Sequence, residues 1–301
     1  MKKIIFPSPF KVQLKDEEIP KVKNKSLLVK TLYSGISNGT ERNMLSGESY
    51  SSGFPISPGY QIVGKVEKCG KDVQDFLTGE NVFCGNSRGH SEYIVINENK
   101  LVFTLPPKQN LRKYSLSGLV AAANHAFKKG DVSSSKNVGV IGSGMIGQFV
   151  AQYCLNQGAK VSIVDPDKSK LKITTNPRLI NTFKDYSSLE ECDILFECSG
   201  KNKLNGFLEK KILNRGSKLI LIGGRENIFY NFNSGQKKEI SLIHTDHFDR
   251  IDLREAINSI TTEEITVLPL IEGTYPISKF QEIYKKLMKN SPLGLIFDWS
   301  E

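Results

Sequence analysis

The stretch "VGVIGSGMIGQFV", residues 138–150, constrains the chain more than any other. An apolar, β-branched run ends at Gly142. Glycines follow at G-x-G-x-x-G spacing (Gly142, Gly144, Gly147), and a helical pattern carrying Ile146, Val150 and Tyr153/Cys154 continues to Gly158. The glycine string alone is weak. Between a strand and a helix it has a physical meaning. Gly142 permits a tight turn, Gly144 lets the backbone approach a pyrophosphate, and Gly147 allows the helix to pack close on the strand. The unpaired N–H groups of the first helical residues, Met145 and Ile146 among them, then face the anion at the positive helix end. About twenty residues on, Asp165 ends "VSIVD". A carboxylate there accepts hydrogen bonds from the ribose hydroxyls of NAD and repels the extra phosphate of NADP. Pro166 and Asp167 follow, with no Arg to receive a phosphate. Ser199 and Gly223, after the next apolar runs, are expected to complete the cofactor site. FAD proteins use a similar fingerprint, usually near the chain start; here it is central.

The remainder of the 301 residues organises around that unit, with length for two medium domains and their cores. Up to about residue 110 the chain reads as short β-branched runs bounded by Gly, Pro and Asn, such as "SLLVKTLYSGIS" and "SEYIVINENKLVFTLP", with one short helix near 39–46. Past Pro106-Pro107 helices and strands alternate: "YSLSGLVAAANHAFKKG", "NVGVIG", "KVSIVD", "CDILFECSG", a helical "LNGFLEKKILNRG", "SKLILIGG", "EISLIHT" and "DLREAINSI". That alternation indicates a parallel sheet covered on both faces. The last stretch, from "ITVLPLIEGTYPI" to "GLIFDWS", resumes the style of the first. The expected fold is α/β: a doubly wound Rossmann sheet over 113–266, with a β-rich domain made of 1–112 and a C-terminal return, 267–301.

Charge and cysteines narrow the setting. The net charge is +9, but the lysines are scattered among acids, with no arginine-rich arm, which reads as a solvated surface rather than a nucleic-acid partner. No run of about 18 apolar residues indicates a membrane span, and the first twenty residues lack a secretory signal, so "NGT" at 38–40 is not read as a glycosylation site. Five cysteines without a CxxC or a zinc-finger spacing suggest a reducing, cytoplasmic location.

With these segments in hand, the chain resembles the medium-chain dehydrogenase/reductases of the alcohol dehydrogenase superfamily over nearly its whole length. "SGISNGTE" is similar to the first active-site loop, "SPGYQIVGKVEKCG" to the Pro-Gly-His-Glu segment, "GENVF" and "GHSEYIVI" to the Gly-Asp-Arg-Val and Ala-Glu-Tyr segments, "AAANHAFKKG" to the helix before the fingerprint, and "GLIFDW" to the closing strand. The β-rich part is then a GroES-like catalytic domain. "SGISNGTE", "PGYQ" and "AAANHAF" together resemble the bacteriochlorophyllide a dehydrogenase-like branch.

The resemblance implies a loss. Zinc-dependent members hold a catalytic zinc by a Cys near position 37, a His at the 60–61 segment beside a Glu, and a Cys or Asp near 118. This chain has Ser37, Tyr60, Gln61 and Gly118 there. Neutral hydroxyls are poor zinc ligands. The four-cysteine lobe of a second, structural zinc would lie between Val82 and Gly89, where only "FCGNSR" remains, so no metal is expected. Hydride transfer still requires a group that takes the hydroxyl proton or polarises the ketone. Tyr60 is the candidate hydrogen-bond donor and general acid, against a packed aromatic at a strand start. Ser37 is the second donor, against a helix N-cap, and Glu41 a candidate relay to water, against support of the helix dipole. His125 and Asn124 are read as packing on the helix that enters the NAD domain, "HTDH" at 244–247 as two polar loop histidines, and His90 as surface.

The reading is an NAD(H)-dependent, zinc-independent alcohol dehydrogenase or ketone reductase, acting on a secondary alcohol of a larger metabolite as a homodimer. The rival from the same superfamily is a quinone or enoyl reductase, which usually prefers NADPH, against Asp165. The rival from another class is a non-catalytic nucleotide-sensing member. Tetrapyrrole alcohols, sugars, cyclitols and amino-acid-derived alcohols all remain open as substrates.

Overall fold

In the computed structural model the chain is described over residues 1–48, 53–85, 89–172, 176, 180–208, 212–290 and 292–300. Its first part holds β1 (Lys2–Ile5), β2 (Gln13–Asp16), β3 (Ser26–Gly35), α1 (Asn38–Ser46), β4 (Gln61–Cys69), β5 (Asn81–Gly85), β6 (Tyr93–Asn97) and β7 (Val102–Thr104). Alternation then begins with α2 (Ser117–Gly130), β8 (Asn137–Ile141), α3 (Met145–Asn156), β9 (Lys160–Val164), α4 (Lys168–Lys172), β10 (Ile180–Phe183) and β11 (Cys192–Glu197). It continues with α5 (Asn205–Leu208), β12 (Leu213–Leu221), α6 (Phe232–Lys238), β13 (Ser241–His244) and α7 (Arg250–Thr261). The chain closes with β14 (Ile271–Pro276), α8 (Phe280–Asn290) and β15 (Gly294–Asp298).

By their contacts these residues divide into two units: Met1–Gly118 with Ala256–Glu263 and Leu270–Glu301, and Leu119–Glu255 with Glu264–Pro269. The second unit carries the doubly wound sheet. Its six strands run in the order β10-β9-β8-β11-β12-β13, and every pairing is parallel. Numbered within the unit this is 3-2-1-4-5-6, so the strand order reverses between β8 and β11. Strands buried on both faces are apolar without alternation, and β8, β9 and β11 show it: Val138, Val140, Val161, Ile163, Leu195 and Phe196 are all buried.

The first unit is built on a sheet ordered β14-β15-β3-β4-β5-β7, with β6 paired to β3. Its pairings are antiparallel except β14 with β15. The return of the C-terminus is therefore literal: β15 pairs with the end of β3, and Ile36 donates its N–H to the Leu295 carbonyl at 2.9 Å. That seam carries the core of Ile4, Phe6, Ile36, Leu45, Tyr284, Leu287, Leu295 and Phe297. Burial of such large side chains, at about 25 cal/mol per Å2 of apolar surface, is the dominant favourable term in holding the unit together.

One local expectation differs. The helix expected over 204–216 is the four-residue α5, and residues 209–211 lie outside the described part. Strand β12 begins already at Leu213, because the Ile212 carbonyl accepts from Cys192 N–H at 2.7 Å and Leu213 joins the ladder beside β11. The apolar spacing of Leu204, Phe207, Leu208 and Ile212 suits a helix face, yet cross-strand pairing takes its last members. In "GRENIFYNFNSG" the chain forms α6, started by the Asn231 side chain, which accepts the Ser234 N–H at 3.2 Å.

Candidate active site

Strand β3 ends at Gly35, where only glycine fits, because a Cβ there would lie 2.0 Å from the Ser115 carbonyl oxygen. Ser37 follows as the N-cap residue of α1, but its hydroxyl makes no capping bond. It donates to Thr40 Oγ1 at 3.1 Å and accepts from the Tyr60 hydroxyl at 3.2 Å. The capping alternative for Ser37 is thus not the one its hydroxyl takes. The Tyr60–Ser37 contact is longer than a good hydroxyl–hydroxyl bond.

Tyr60 is delivered by a glycine turn. Gly59 sits at φ +98°, a conformation other residues rarely adopt. The turn is tied down by Gly89 N–H to the Gly59 carbonyl at 3.1 Å and His90 N–H to the Pro58 carbonyl at 2.7 Å. Gln61, the next residue, is fully buried and donates through Nε2 to the Gly35 carbonyl at 3.4 Å, which ties the start of β4 to the end of β3. Phenol and amide at this strand start therefore have separate tasks: the amide braces the strands, and the phenol meets Ser37.

Gly118 belongs to the same cluster. A Cβ on Gly118 would lie 2.9 Å from both Gln61 Oε1 and Tyr60 Cε2. Positions 37, 60 and 118 converge as the resemblance implied, but the space for a third ligating side chain is filled by Tyr60 and Gln61. Ser37, Tyr60 and Gly118 do not fit a zinc ion, whose protein ligands are thiolate, imidazole or carboxylate. Among the described residues no three His, Cys, Asp or Glu side chains gather elsewhere to hold one. Of the lobe between Val82 and Gly89, residues 86–88 lie outside the described part.

Glu41 differs from the expectation. It is fully buried, so it does not open to water. Its Oε1 accepts the Ser37 N–H at 2.9 Å and its Oε2 the Tyr284 hydroxyl at 2.6 Å. Burial and the neighbouring Glu41 charge push the Tyr284 phenol well above its usual range, so Tyr284 stays a donor. His90, expected at the surface, is also fully buried, with Nε2 at 3.1 Å from Glu41 Oε2. Polar neighbours in "RGHSEY" mislead here, because the segment crosses beneath the Pro58-Gly59 turn. His125 is also more than packing: its Nδ1 lies 2.8 Å from Asp252 Oδ2, and Asn124 donates to Glu255 at 2.7 Å. His244 ends β13 and His247 has φ +46°; both are exposed.

In the second unit the residues fit a dinucleotide. Gly142 has φ +95° and donates to the Val164 carbonyl at 2.7 Å. A Cβ on Gly147 would sit 1.9 Å from the Gly142 carbonyl oxygen, so helix α3 packs on the loop only with glycine there. A Cβ on Gly144 would meet nothing within 4 Å, which leaves open space above the first turn of α3. The N–H groups of Met145, Ile146 and Gly147 have no partner within the helix and remain for an anion.

Asp165 is more committed than the sequence suggested. Its carboxylate accepts the Ser143 N–H and the Asp167 N–H, each at 2.8 Å, and the residue is buried. It pins the glycine loop to the end of β9, and two of the roughly four lone-pair positions of a carboxylate stay free. Across the reversal point, a Cβ on Gly142 would lie 3.1 Å from Ser199 N. Ser199 N–H donates to Glu197 Oε1 at 2.9 Å, and its hydroxyl donates to the same oxygen. Glu197, fully buried at the end of β11, pairs with Arg225, whose Nε–H donates to the Gly223 carbonyl at 2.8 Å. Glu197 and Arg225 were not singled out in the sequence, although an acid closing an apolar strand and an Arg just after the next strand's Gly-Gly are a readable sign of a paired buried charge.

Comparison with known proteins agrees with this geometry. The alcohol dehydrogenase GroES-like domain family matches residues 23–161, and the NAD-binding domain of 3-hydroxyacyl-CoA dehydrogenase matches residues 137–191. A quinone oxidoreductase from Rattus norvegicus is 24% identical over 95% of this chain and 92% of that protein. The 2-desacetyl-2-hydroxyethyl bacteriochlorophyllide A dehydrogenase of Cereibacter sphaeroides is 23% identical over 98% of this chain and 97% of that protein. The crystal structure of galactitol-1-phosphate dehydrogenase from Escherichia coli superposes with a TM-score of 0.86 at 19% identity, covering 99% of this chain and all of that one. A GroES-like unit and a Rossmann unit with a glycine loop, matched over nearly the full length by such oxidoreductases, make this chain similar in fold and sequence to the medium-chain dehydrogenase/reductases of the alcohol dehydrogenase superfamily.

Proposed function

We propose that the chain is an NAD(H)-dependent alcohol dehydrogenase or ketone reductase that works without zinc. The observation that carries the reading is the convergence of Tyr60, Ser37 and Gly118, with two hydroxyls in contact and no room for a metal-binding side chain at Gly118. When bound, the nicotinamide cofactor supplies or accepts the hydride. Tyr60 and Ser37 hold the substrate oxygen: as donors they stabilise the charge on that oxygen as a ketone is reduced, and Tyr60 gives up its phenolic proton to the nascent alkoxide. The loop Gly142–Gly147 holds the pyrophosphate, Asp165 receives the ribose through its remaining lone pairs, and Ser199 and Gly223 border the dinucleotide beside it. The substrate is a secondary alcohol or ketone of a small molecule, and the working form is a cytoplasmic homodimer. Among the described residues no helix is long and apolar enough to cross a membrane.

A second reading, quinone reduction, is favoured by one observation: quinone oxidoreductases from four mammals are 23–26% identical over 95% of the chain. One experiment separates the two. Untagged protein is titrated with NADH and NADPH by fluorescence, then assayed with alcohol, ketone and quinone panels before and after dialysis against a chelator. Tighter NADH binding, turnover of an alcohol–ketone pair and no loss on chelation are expected. Tighter NADPH binding with turnover of quinones alone moves the assignment to the second reading. Stoichiometric zinc whose removal abolishes activity overturns the metal-free site.

A further inference from the structure

His90 has no part in the proposed reaction above, yet its imidazole lies between the two loops that carry Ser37 and Tyr60. On one side it supports the Tyr60 turn. A Cβ on Gly59 would lie 2.7 Å from the ring's Cδ2, so the Gly59 backbone rests directly on the imidazole. The backbone bonds from Gly89 and His90 to Gly59 and Pro58 hold the two segments together. On the other side, Nε2 faces Glu41 Oε1 at 3.2 Å and Oε2 at 3.1 Å, and that same Oε1 anchors the Ser37 N–H.

The ring's second nitrogen sets its orientation. Nδ1 lies 2.8 Å from Ser34 Oγ, which also accepts the Trp299 Nε1–H at 2.8 Å. The Glu41 carboxylate can only accept, so Nε2 is the nitrogen that bears the proton, and Nδ1 takes the proton of the Ser34 hydroxyl, whose oxygen also receives the Trp299 N–H. The imidazole then carries its proton on Nε2 and donates it to Glu41. A buried imidazole kept only for packing would be as well served by a phenyl ring, and the edge contact with Phe297 at 5.3 Å is of that kind. Two polar nitrogens in a fully buried position are tolerated because both are paired. Their partners lead to the Ser37 loop and to the closing strand of the fold.

We propose that His90 is the positioning residue that holds Ser37 and Tyr60 at hydrogen-bonding separation. One ring fixes both the carboxylate that anchors Ser37 and the glycine turn that delivers Tyr60. It touches neither substrate nor cofactor. The proposal rests on the reading of Ser37 and Tyr60 as the oxygen-binding pair, so its first test needs no substrate. 3-Fluorotyrosine is placed at position 60, and its fluorine resonance is recorded in wild type, His90→Phe, His90→Gln and His90→Asn. The Gln amide reaches Glu41 as Nε2 does; the shorter Asn amide reaches only the Ser34 side. A shifted or broadened resonance is expected in the Phe and Asn variants, and a near-wild-type one in Gln. With a turned-over substrate, kcat should fall on the order of 10²-fold in His90→Asn, as a misplacement of about 1 Å does. His90→Gln should recover most of it, and NADH affinity should stay constant throughout. An unchanged resonance in folded His90→Asn, or identical behaviour of Asn and Gln, overturns the proposal. If His90→Phe does not fold, the Asn and Gln pair decides alone. If the Tyr60 resonance responds as expected while no alcohol is turned over, the positioning role stands and the alcohol dehydrogenase reading fails.

Discussion

Two buried carboxylates, one in each unit, each gather loops of their own unit, and they do so with different partners. Glu41 in the first unit holds a backbone N–H, an imidazole and a phenol. Glu197 in the second holds a backbone N–H, a serine hydroxyl and a guanidinium. Both are fully buried. An Arg keeps its charge at any working pH, so Glu197 is neutralised permanently. Glu41 has no guanidinium beside it and relies on the number of its donors. The loop of Ser199 and Gly223 is thus fixed by a charge pair, and the Ser37 loop by a hydrogen-bond network. In both, a buried carboxylate with donors from separate segments makes loop residues as well placed as strand residues.

The largest difference between the two arrangements should appear when a partner is removed. Arg225→Met leaves Glu197 buried and unpaired, which costs about 3–5 kcal/mol. Tyr284→Phe takes one neutral donor from Glu41 and leaves the rest, which costs about 1–3 kcal/mol. Thermal or denaturant unfolding of both variants checks the order. Equal losses would mean that the two carboxylates are held alike.

Activity sharpens the contrast next. Tyr60→Phe keeps the ring against Gly118 and removes only the hydroxyl that meets Ser37. Loss of one preorganised donor lowers turnover by roughly 10²–10³. NADH binding, read by fluorescence, should hardly change, because the glycine loop proposed to hold the cofactor lies in the other unit. Ser37→Ala should be milder where the two hydroxyls share one oxygen. Wild-type rates in Tyr60→Phe with a dead Ser37→Ala would reverse the two roles.

The smallest expected effect divides folding from binding inside the second unit. Gly147→Ala drives a methyl into the Gly142 carbonyl and should lower both stability and NADH affinity. Gly144→Ala adds a methyl that meets no protein atom within 4 Å, so the melting temperature should hold while NADH affinity falls. A drop in stability for Gly144→Ala would show that the open space above α3 is not reserved for the dinucleotide.

Much of this was legible in the residues themselves. The glycine loop, its strand and helix, and the doubly wound order follow from local pattern: each glycine does its work within six residues of the others, and an apolar run between turns is a buried strand wherever it lies. The convergence of Ser37, Tyr60 and Gly118 was reachable only through the resemblance, because a position in a known arrangement stands in for distance in space. The environment of Glu41 was out of reach. Tyr284 is 243 residues away in sequence, and nothing near "NGTERNML" signals that a phenol from the last helix completes the carboxylate's shell. His90 was misjudged for the same reason: its neighbours in sequence are polar, while its neighbours in space are a glycine turn, a buried acid and a tryptophan.

The sequence by itself determined most of the strands and helices, the glycine turn that opens α3, and which residue types stand at positions 37, 60 and 118. Those properties depend on residue type and spacing over a few positions. Only the tertiary structure decided which hydroxyls meet, that Asp165 first serves its own loop, and that His90 and Glu41 lie under the site rather than at the surface. Burial and hydrogen-bond geometry are set by segments brought together from distant parts of the chain, where the requirement to pair every buried polar group selects one arrangement among many that local pattern permits.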